Sequence, residues 1–297
     1  MSNVYVGTSS WTDHSLVESG LFYPHEVKTA AARLSYYSER FPIAELDSSY
    51  HYFPTRKNLD LWLDNTPPEF IYDIRAFSMF TGHPTPPRSL PRSIREEHNE
   101  LASHKDNLYL HHLQEDVAEK LWEIFLSDVR TIESAGKLGV ILFQFPPWFH
   151  PNRENFDYLL TCKERFPEHQ IAVEFRSGDW LLENSLDSTL TFLKEHKMAL
   201  VCVDEPQGLK TSVPPIAEVT SSVGMVRFHG RNAANWEKKG IPAEERFNYL
   251  YSEEELTEWV PRVRKMAELV DKVHIIFKNK FKNYPVRNAE QFIEMLV

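Results

Sequence analysis

Charged side chains recur along this chain at the ends of hydrophobic runs, spaced two residues apart. Glu45-Leu46-Asp47, Asp73-Ile74-Arg75, Glu174-Phe175-Arg176 and Arg227-Phe228-His229 each close such a run, and Asp204 closes another. Residues two apart on a strand share a face, so each pair aims in one direction. On a face covered by apolar helices an unpaired charge costs several kcal/mol. The other destination is the open end of a barrel, where TIM-barrel enzymes place their catalytic groups. Carboxylates, an imidazole and guanidinium groups at one mouth suit acid–base work on an anion. Glu174 or Glu45 would be the general base and His229 the acid. Arg176, Arg227, Arg231 and Arg75 would hold the anion, because guanidinium forks match phosphate and carboxylate oxygens. Asp47, Glu174, Asp204 and His229 also offer the donors that suit Mn²⁺, Mg²⁺ or Zn²⁺, with Asp47 and Asp204 as the metal-ligand candidates. The competing reading is an ion network that merely fills the barrel. Five charged strand ends favour a pocket, since a barrel seldom needs that many charges for stability.

Positioning these groups requires eight strands. Runs of β-branched and aromatic residues fall at Val4–Ser9, Ala44–Tyr50, Phe70–Phe77, Gly139–Phe145, Ile171–Phe175, Ala199–Val203, Gly224–His229 and Val273–Phe277. Helical patterns separate them at His25–Arg40, Arg56–Asn65, Asp116–Ser134, Asn152–Phe166, Leu182–His196, Ser252–Val270 and Asn288–Leu296. Asp116 with Glu119, and Ser252 with Glu255, have capping spacing. Continuous apolar strands such as Val140–Phe143 suit a parallel sheet buried on both faces. Strands alternating with helices in this number predict an α/β fold, a single (β/α)₈ TIM-barrel domain over residues 1–297. Lys210–Ser222 makes a poor sixth helix and is expected to be irregular. Thr81–Glu115 is a long excursion after the third strand, of the kind used as a lid or binding loop. Trp11, Trp148, Trp180 and Trp236 all follow strands, where their rings would line the mouth as platforms for a flat ligand or plug its rim.

The 33 basic and 43 acidic residues give a net charge of −10 over 297 residues. That balance argues against wholesale coating of nucleic acid or acidic membranes. No stretch approaches the roughly 20 apolar residues of a membrane span. Met1–Tyr5 runs straight into a strand pattern, so no signal peptide is expected. Two cysteines, Cys162 and Cys202, exclude a disulfide scaffold and suit a reducing cytosol, so a cytoplasmic location is expected. Both read as buried small hydrophobes. His98, His104, His111 and His112 lack ligand spacing and read as a solvated segment. Ala135-Gly136-Lys137 lacks the flanking residues of a phosphate loop, and no serine sits in a nucleophile elbow.

The chain also resembles the YecE-like family, a bacterial family of unknown function. The matching stretches begin with Val6-Gly7-Thr8-Ser9-Ser10-Trp11, Phe22-Tyr23-Pro24 and Glu45-Leu46-Asp47-Ser48-Ser49-Tyr50. Next come Leu142–Pro147, Val173-Glu174-Phe175-Arg176 with Trp180, Arg227–Arg231, and Tyr251–Leu256. They follow in order over nearly the whole chain. The resemblance implies a TIM barrel and no established reaction. Its outline is similar to divalent-metal barrels such as endonuclease IV and the sugar isomerases, a likeness of fold only. Asp47 stands where the family usually has asparagine, Arg75 where it has lysine, and Lys278-Asn279 replace a double asparagine. Gln144 and Asn279, in or beside these stretches, join Trp11 and Trp180 as candidates for substrate binding.

Three functions follow. The first is an enzyme acting on a small anionic substrate, a phosphoester or sugar phosphate, by metal-assisted hydrolysis or isomerisation. The second is a glycoside hydrolase built on two carboxylates and tryptophan platforms. The third is a non-catalytic barrel binding a ligand or single-stranded nucleic acid through the Arg88–Arg95 stretch, a reading the net charge opposes.

Overall fold

A computed structural model describes residues 3–103 and 106–297. Eight strands form: β1 (Val4–Thr8), β2 (Ile43–Leu46), β3 (Ile71–Arg75), β4 (Leu138–Gln144), β5 (Ile171–Glu174), β6 (Ala199–Asp204), β7 (Val223–Phe228) and β8 (Lys272–Phe277). They pair in parallel in sequence order and close into a barrel. The seam runs from Val4 opposite Val273 to Thr8 opposite Phe277. Every residue of β2, β3, β5 and β6 is buried, as parallel strands covered on both faces require. Gly7 allows one close approach. A Cβ there would lie 2.0 Å from the Ile43 carbonyl oxygen on β2.

Helices at Ala30–Ser38, Arg56–Asp64, Glu115–Ser134, Arg153–Arg165, Leu186–Glu195 and Val260–Leu269 carry six of the seven crossovers, and Tyr284–Leu296 follows β8. The sixth, between β6 and β7, holds no helix, as its composition predicted. Side chains tie it down instead: the Thr220 hydroxyl accepts from Leu200 N (2.7 Å) and donates to Met198 O (2.6 Å). None of the helices among the described residues is long and apolar enough to cross a membrane.

Several boundaries differ from the sequence pattern for local reasons. β2 stops at Leu46, and Asp47–Tyr50 turn into a 3₁₀ segment. The first crossover helix begins at Ala30, where the Thr29 hydroxyl accepts from Ala32 N; an unforeseen helix, His14–Ser19, precedes it. Asp116 lies inside the first turn of its helix, with Gln114 at the cap. Ser252–Val270 divides into Glu253–Thr257 and Val260–Leu269, because Pro261 has no N–H to continue the ladder. The Ser252–Glu255 capping box is present. The last helix starts at Tyr284, ahead of Asn288.

The excursion folds as short helical turns, Pro87–Ser89, Arg92–Glu97, Asn99–Ala102 and Leu110–His112. It is anchored by the Thr85–Leu108 bridge and by buried Leu90, Ile94 and Leu108. His104 lies outside the described residues.

Candidate functional site

The barrel interior is built around a buried guanidinium. Arg227, from β7, donates Nε to Glu45 Oε2 (2.9 Å) and Nη2 to Glu45 Oε1 (2.7 Å). Its Nη1 reaches Gln144 Oε1 (3.1 Å) and Glu174 Oε2. One arginine therefore joins β7 to β2, β4 and β5 through four hydrogen bonds. Glu45 faces it in a bidentate pair, so Arg227 and Glu45 are a buried pair and not a free base and anion holder. Gln144 is half-buried and gives Oε1 to Arg227, while its Nε2 makes no hydrogen bond among the described residues. One layer nearer the strands' N-terminal ends, Asp73 accepts from His274 Nδ1 (2.9 Å) and Val140 N (2.9 Å). Gly139 makes room there, since a Cβ would lie 2.2 Å from Asp73 Oδ1.

Glu174 extends the network toward the mouth. Its Oε1 meets His229 Nε2 (3.0 Å) and Arg176 Nη1 (3.3 Å). Burial works to raise its pKa, but Arg227, His229 and Arg176 outweigh burial and hold it well below the usual carboxylate range. Burial pushes His229 down to about 3 against the opposing pull of Glu174. The imidazole is therefore neutral, donates from Nε2, and keeps a bare lone pair on Nδ1, which has no hydrogen-bond partner among the described residues. The ionised Glu174 therefore orients a neutral His229, which resists protonation.

Glu205, which the sequence reading passed over, completes the group. It follows β6, and burial raises its carboxyl to about 7 against the effect of Arg176. Its Oε1 accepts from Val213 N (2.8 Å). Its Oε2 lies 3.1 Å from Arg176 Nη1 but is not aligned as a hydrogen bond, so Oε2 has no such partner among the described residues. Its signal was its parity with Val203, opposite to that of Asp204. Asp204 points outward, where Arg231 Nε and Nη2 (2.9 and 2.7 Å), Tyr251 Oη (2.8 Å) and Trp259 Nε1 (2.7 Å) donate to it. A charge on the helix-covered face is tolerated because four donors pair it. Arg231 also binds Glu258 (2.8 Å), so it clamps the rim and is not free for substrate.

On the other side of the mouth, Asp47 accepts from Arg75 Nη1 (2.7 Å), Lys278 Nζ (2.8 Å) and Lys280 Nζ (2.6 Å). The Arg75 guanidinium stacks over Tyr50 at 3.8 Å. Burial raises the Asp47 pKa, and the three cations outweigh it and lower it well below the ordinary value. Burial, with help from Arg75, brings Lys278 down to about 7. Neither Asp47 nor Asp204 is free for a metal. Among the described residues, no group of three His, Cys, Asp or Glu is placed to share one. The donor set does not fit a divalent ion without displacing these cations.

The tryptophans divide. Trp180 is sealed between Phe175 (4.3 Å) and Phe149 (5.5 Å), with Nε1 on Phe149 O (2.6 Å). Trp11 is buried against Trp62, Tyr72 and Tyr37. Trp180 plugs the rim, the alternative to a platform, whereas Trp11 borders a cavity of about 260 Å³ with Glu45 and Asp47. Asn279 donates Nδ2 to Tyr249 O (2.8 Å) and Asn288 Oδ1 (2.9 Å), and its buried Oδ1 has no hydrogen-bond partner among the described residues. Trp236 is buried under the Arg176 guanidinium at 4.7 Å. Trp148, 57% exposed, stands at the surface.

Two cavities meet at Trp148. One, of about 470 Å³, is lined by Arg176, Lys210, Trp236, Lys238, Lys239 and Arg246, with Glu237 the only acid. Arg176 reaches it with Nε and Nη2 making no hydrogen bond among the described residues. The other, of about 440 Å³, lies between Phe145, Phe149 and Tyr158 on one side and Tyr109 and His111 of the excursion on the other. The loop lysines carried no periodic signal and were not foreseen. Both cysteines are buried, as expected.

A family model described as a protein of unknown function, DUF72, matches residues 5–297. The UPF0759 protein YunF of Bacillus subtilis is 30% identical over 298 residues, covering 99% of this chain and 94% of its own. A DUF72 family protein from Thermotoga maritima has a similar crystal structure, with a TM-score of 0.78, 31% identity and 99% of each chain covered. One from Enterococcus faecalis has a TM-score of 0.78 and 26% identity over 99% of this chain and 95% of that one.

Proposed function

The chain belongs to the DUF72 (UPF0759) family, which the YecE-like resemblance also denotes, and from that premise we propose that its barrel mouth binds a small anionic substrate and moves protons on it. Phosphoesters and sugar phosphates are the favoured class. The observation that carries this reading is Arg176. Its Nη1 is oriented by Glu174 and Glu205 and its guanidinium rests on Trp236, while Nε and Nη2 make no hydrogen bond among the described residues and the side chain lines a cleft with four further cations. A pre-aimed guanidinium in a basic cleft is an anion site.

Behind Arg176, His229 and Glu205 differ in what they do with a proton. His229 stays neutral and serves as a fixed hydrogen-bonding group, whereas a carboxyl with a pKa of about 7 exchanges its proton near neutrality. Isomerisation of a sugar phosphate needs a group that removes a proton and returns it, and Glu205 is matched to that task. Glycoside hydrolysis fits less well, because Glu45 and Glu174 both serve Arg227 and neither is a free acid. A nucleic-acid groove along the excursion is also disfavoured, since Arg92 is turned to Glu96 and Arg95 to the Leu90 carbonyl.

The test is calorimetric titration of inorganic phosphate and ribose 5-phosphate into the protein and into Arg176→Met, with thermal melts confirming that the variant folds. Binding by the wild type and its loss in a folded Arg176→Met protein is the expected result. Equal binding by both, or none by either at low salt, overturns the reading. A substrate screen then compares wild type with His229→Asn. Glu174→Gln is the poorer probe, because it also takes a partner from Arg227.

A further inference from the structure

The basic cleft does not stand alone. Its Trp148 wall is shared with the 440 Å³ pocket under the excursion, whose other walls are Phe145, Phe149 and Tyr109. We propose that the ligand has two parts, a phosphate held at Arg176 and a planar aromatic ring held in this second pocket, so that Trp148 lies between them. The proposal rests on the anion reading above and adds to it the class of compound.

Three observations carry it. First, an indole 57% exposed is unusual beside so many buried rings. Pro146 and Pro147 precede it, with the backbone tied by Phe149 N to Pro146 O at 3.0 Å. Proline restricts the turn, so the backbone that presents the ring is already ordered. His83 meets Trp148 edge-on at 5.9 Å without covering it. Second, the pocket is aromatic on both sides. Phe145 and Phe149 stack at 4.1 Å behind it, and Tyr109 stacks with His111 at 5.6 Å across from them. Flat rings meet aromatic walls favourably and without regard to sequence or substituent. Third, among the described residues the cations lie on the basic-cleft side. The second pocket has Glu154 and, among those residues, no Lys or Arg in its lining, so an anion is drawn to one end and a neutral ring to the other. Each cavity falls in the volume range of small-molecule sites, about 300–1,000 Å³.

Nucleoside monophosphates and simple aryl phosphates share this chemistry, and titration separates them. Inorganic phosphate, ribose 5-phosphate, phenyl phosphate, AMP and adenosine would each be titrated into wild type, Trp148→Ala and Tyr109→Ala. The expected result is that AMP or phenyl phosphate binds about tenfold or more tighter than ribose 5-phosphate. That preference should shrink to about twofold in Trp148→Ala and fall in Tyr109→Ala, which lies outside the basic cleft. AMP above phenyl phosphate identifies a nucleoside ligand, and the reverse order an aryl one. If ring-bearing and ringless phosphates bind equally, or the preference survives both substitutions, the two-part ligand is wrong while the anion site stands. If no phosphate binds at all, both fall.

Discussion

Removing the Arg227 guanidinium would leave Glu45 and Glu174 facing each other inside the barrel with no water to screen them. Breaking a buried ion network by deleting one partner costs about 3–5 kcal/mol. Arg227→Met should lose that much in urea unfolding, and a variant as stable as the wild type would show that the network is not a structural element. Asp128 makes the opposite case. It sits on the helix Glu115–Ser134, and burial raises its carboxyl to about 7 from an ordinary 3.8. Its Oδ2 has no hydrogen-bond partner among the described residues. A folded pKa above the unfolded one means that ionisation opposes folding, so stability falls as pH rises from about 4 to about 7. Asp128→Asn should therefore gain about 1–2 kcal/mol at pH 8, discounted for its partial exposure, and almost nothing at pH 4. Melts at the two pH values decide it. Strand parity in the sequence brought Glu174, Arg176 and His229 to the mouth, because a period of two is a geometric property of any strand. Parity says nothing about partners. That Arg227 is shared among Glu45, Gln144 and Glu174, that Asp204 faces outward onto Trp259, and that Trp180 is sealed by Phe175 depend on contacts across the fold.

Elements were legible where burial alone decides them. The eight strands fall within a residue or a few of their hydrophobic runs, since a strand covered on both faces must be apolar throughout. Ends were less legible, because caps and turns compete over single hydrogen bonds. Thr29 capped a helix expected to start at His25, and Pro261 split one expected to be continuous. Two substitutions probe these devices. Ser252→Ala removes the hydroxyl that accepts from Glu255 N and should cost about 1 kcal/mol in thermal or urea unfolding. Gly7→Ala puts a methyl where the Ile43 carbonyl oxygen already is, at 2.0 Å. It should destabilise by several kcal/mol or yield insoluble protein, far beyond the roughly 1 kcal/mol that separates glycine from alanine on conformational grounds. A Gly7→Ala protein with unchanged melting would mean that β1 and β2 are not so close.

For the whole molecule, a net charge of −10 coexists with a cleft carrying five basic side chains. Phosphate affinity should weaken as ionic strength rises, because the cleft is open to solvent and its attraction is screened within about 10 Å at 0.1 M salt. Salt-independent titrations would place the anion elsewhere. The closed ring of strands bears on how the molecule is made. β1 ends at Thr8, yet one of its two neighbours, β8, is complete only at Phe277. At about 5–20 residues per second, a ribosome leaves that flank of β1 exposed for on the order of 10–60 s. Until then β1 and β7 each offer a row of unpaired amides and carbonyls, to which another nascent chain can bind. Translation that stalls before Lys272 should therefore release a sticky open sheet, so the arrival of the last strand separates a sealed barrel from aggregation.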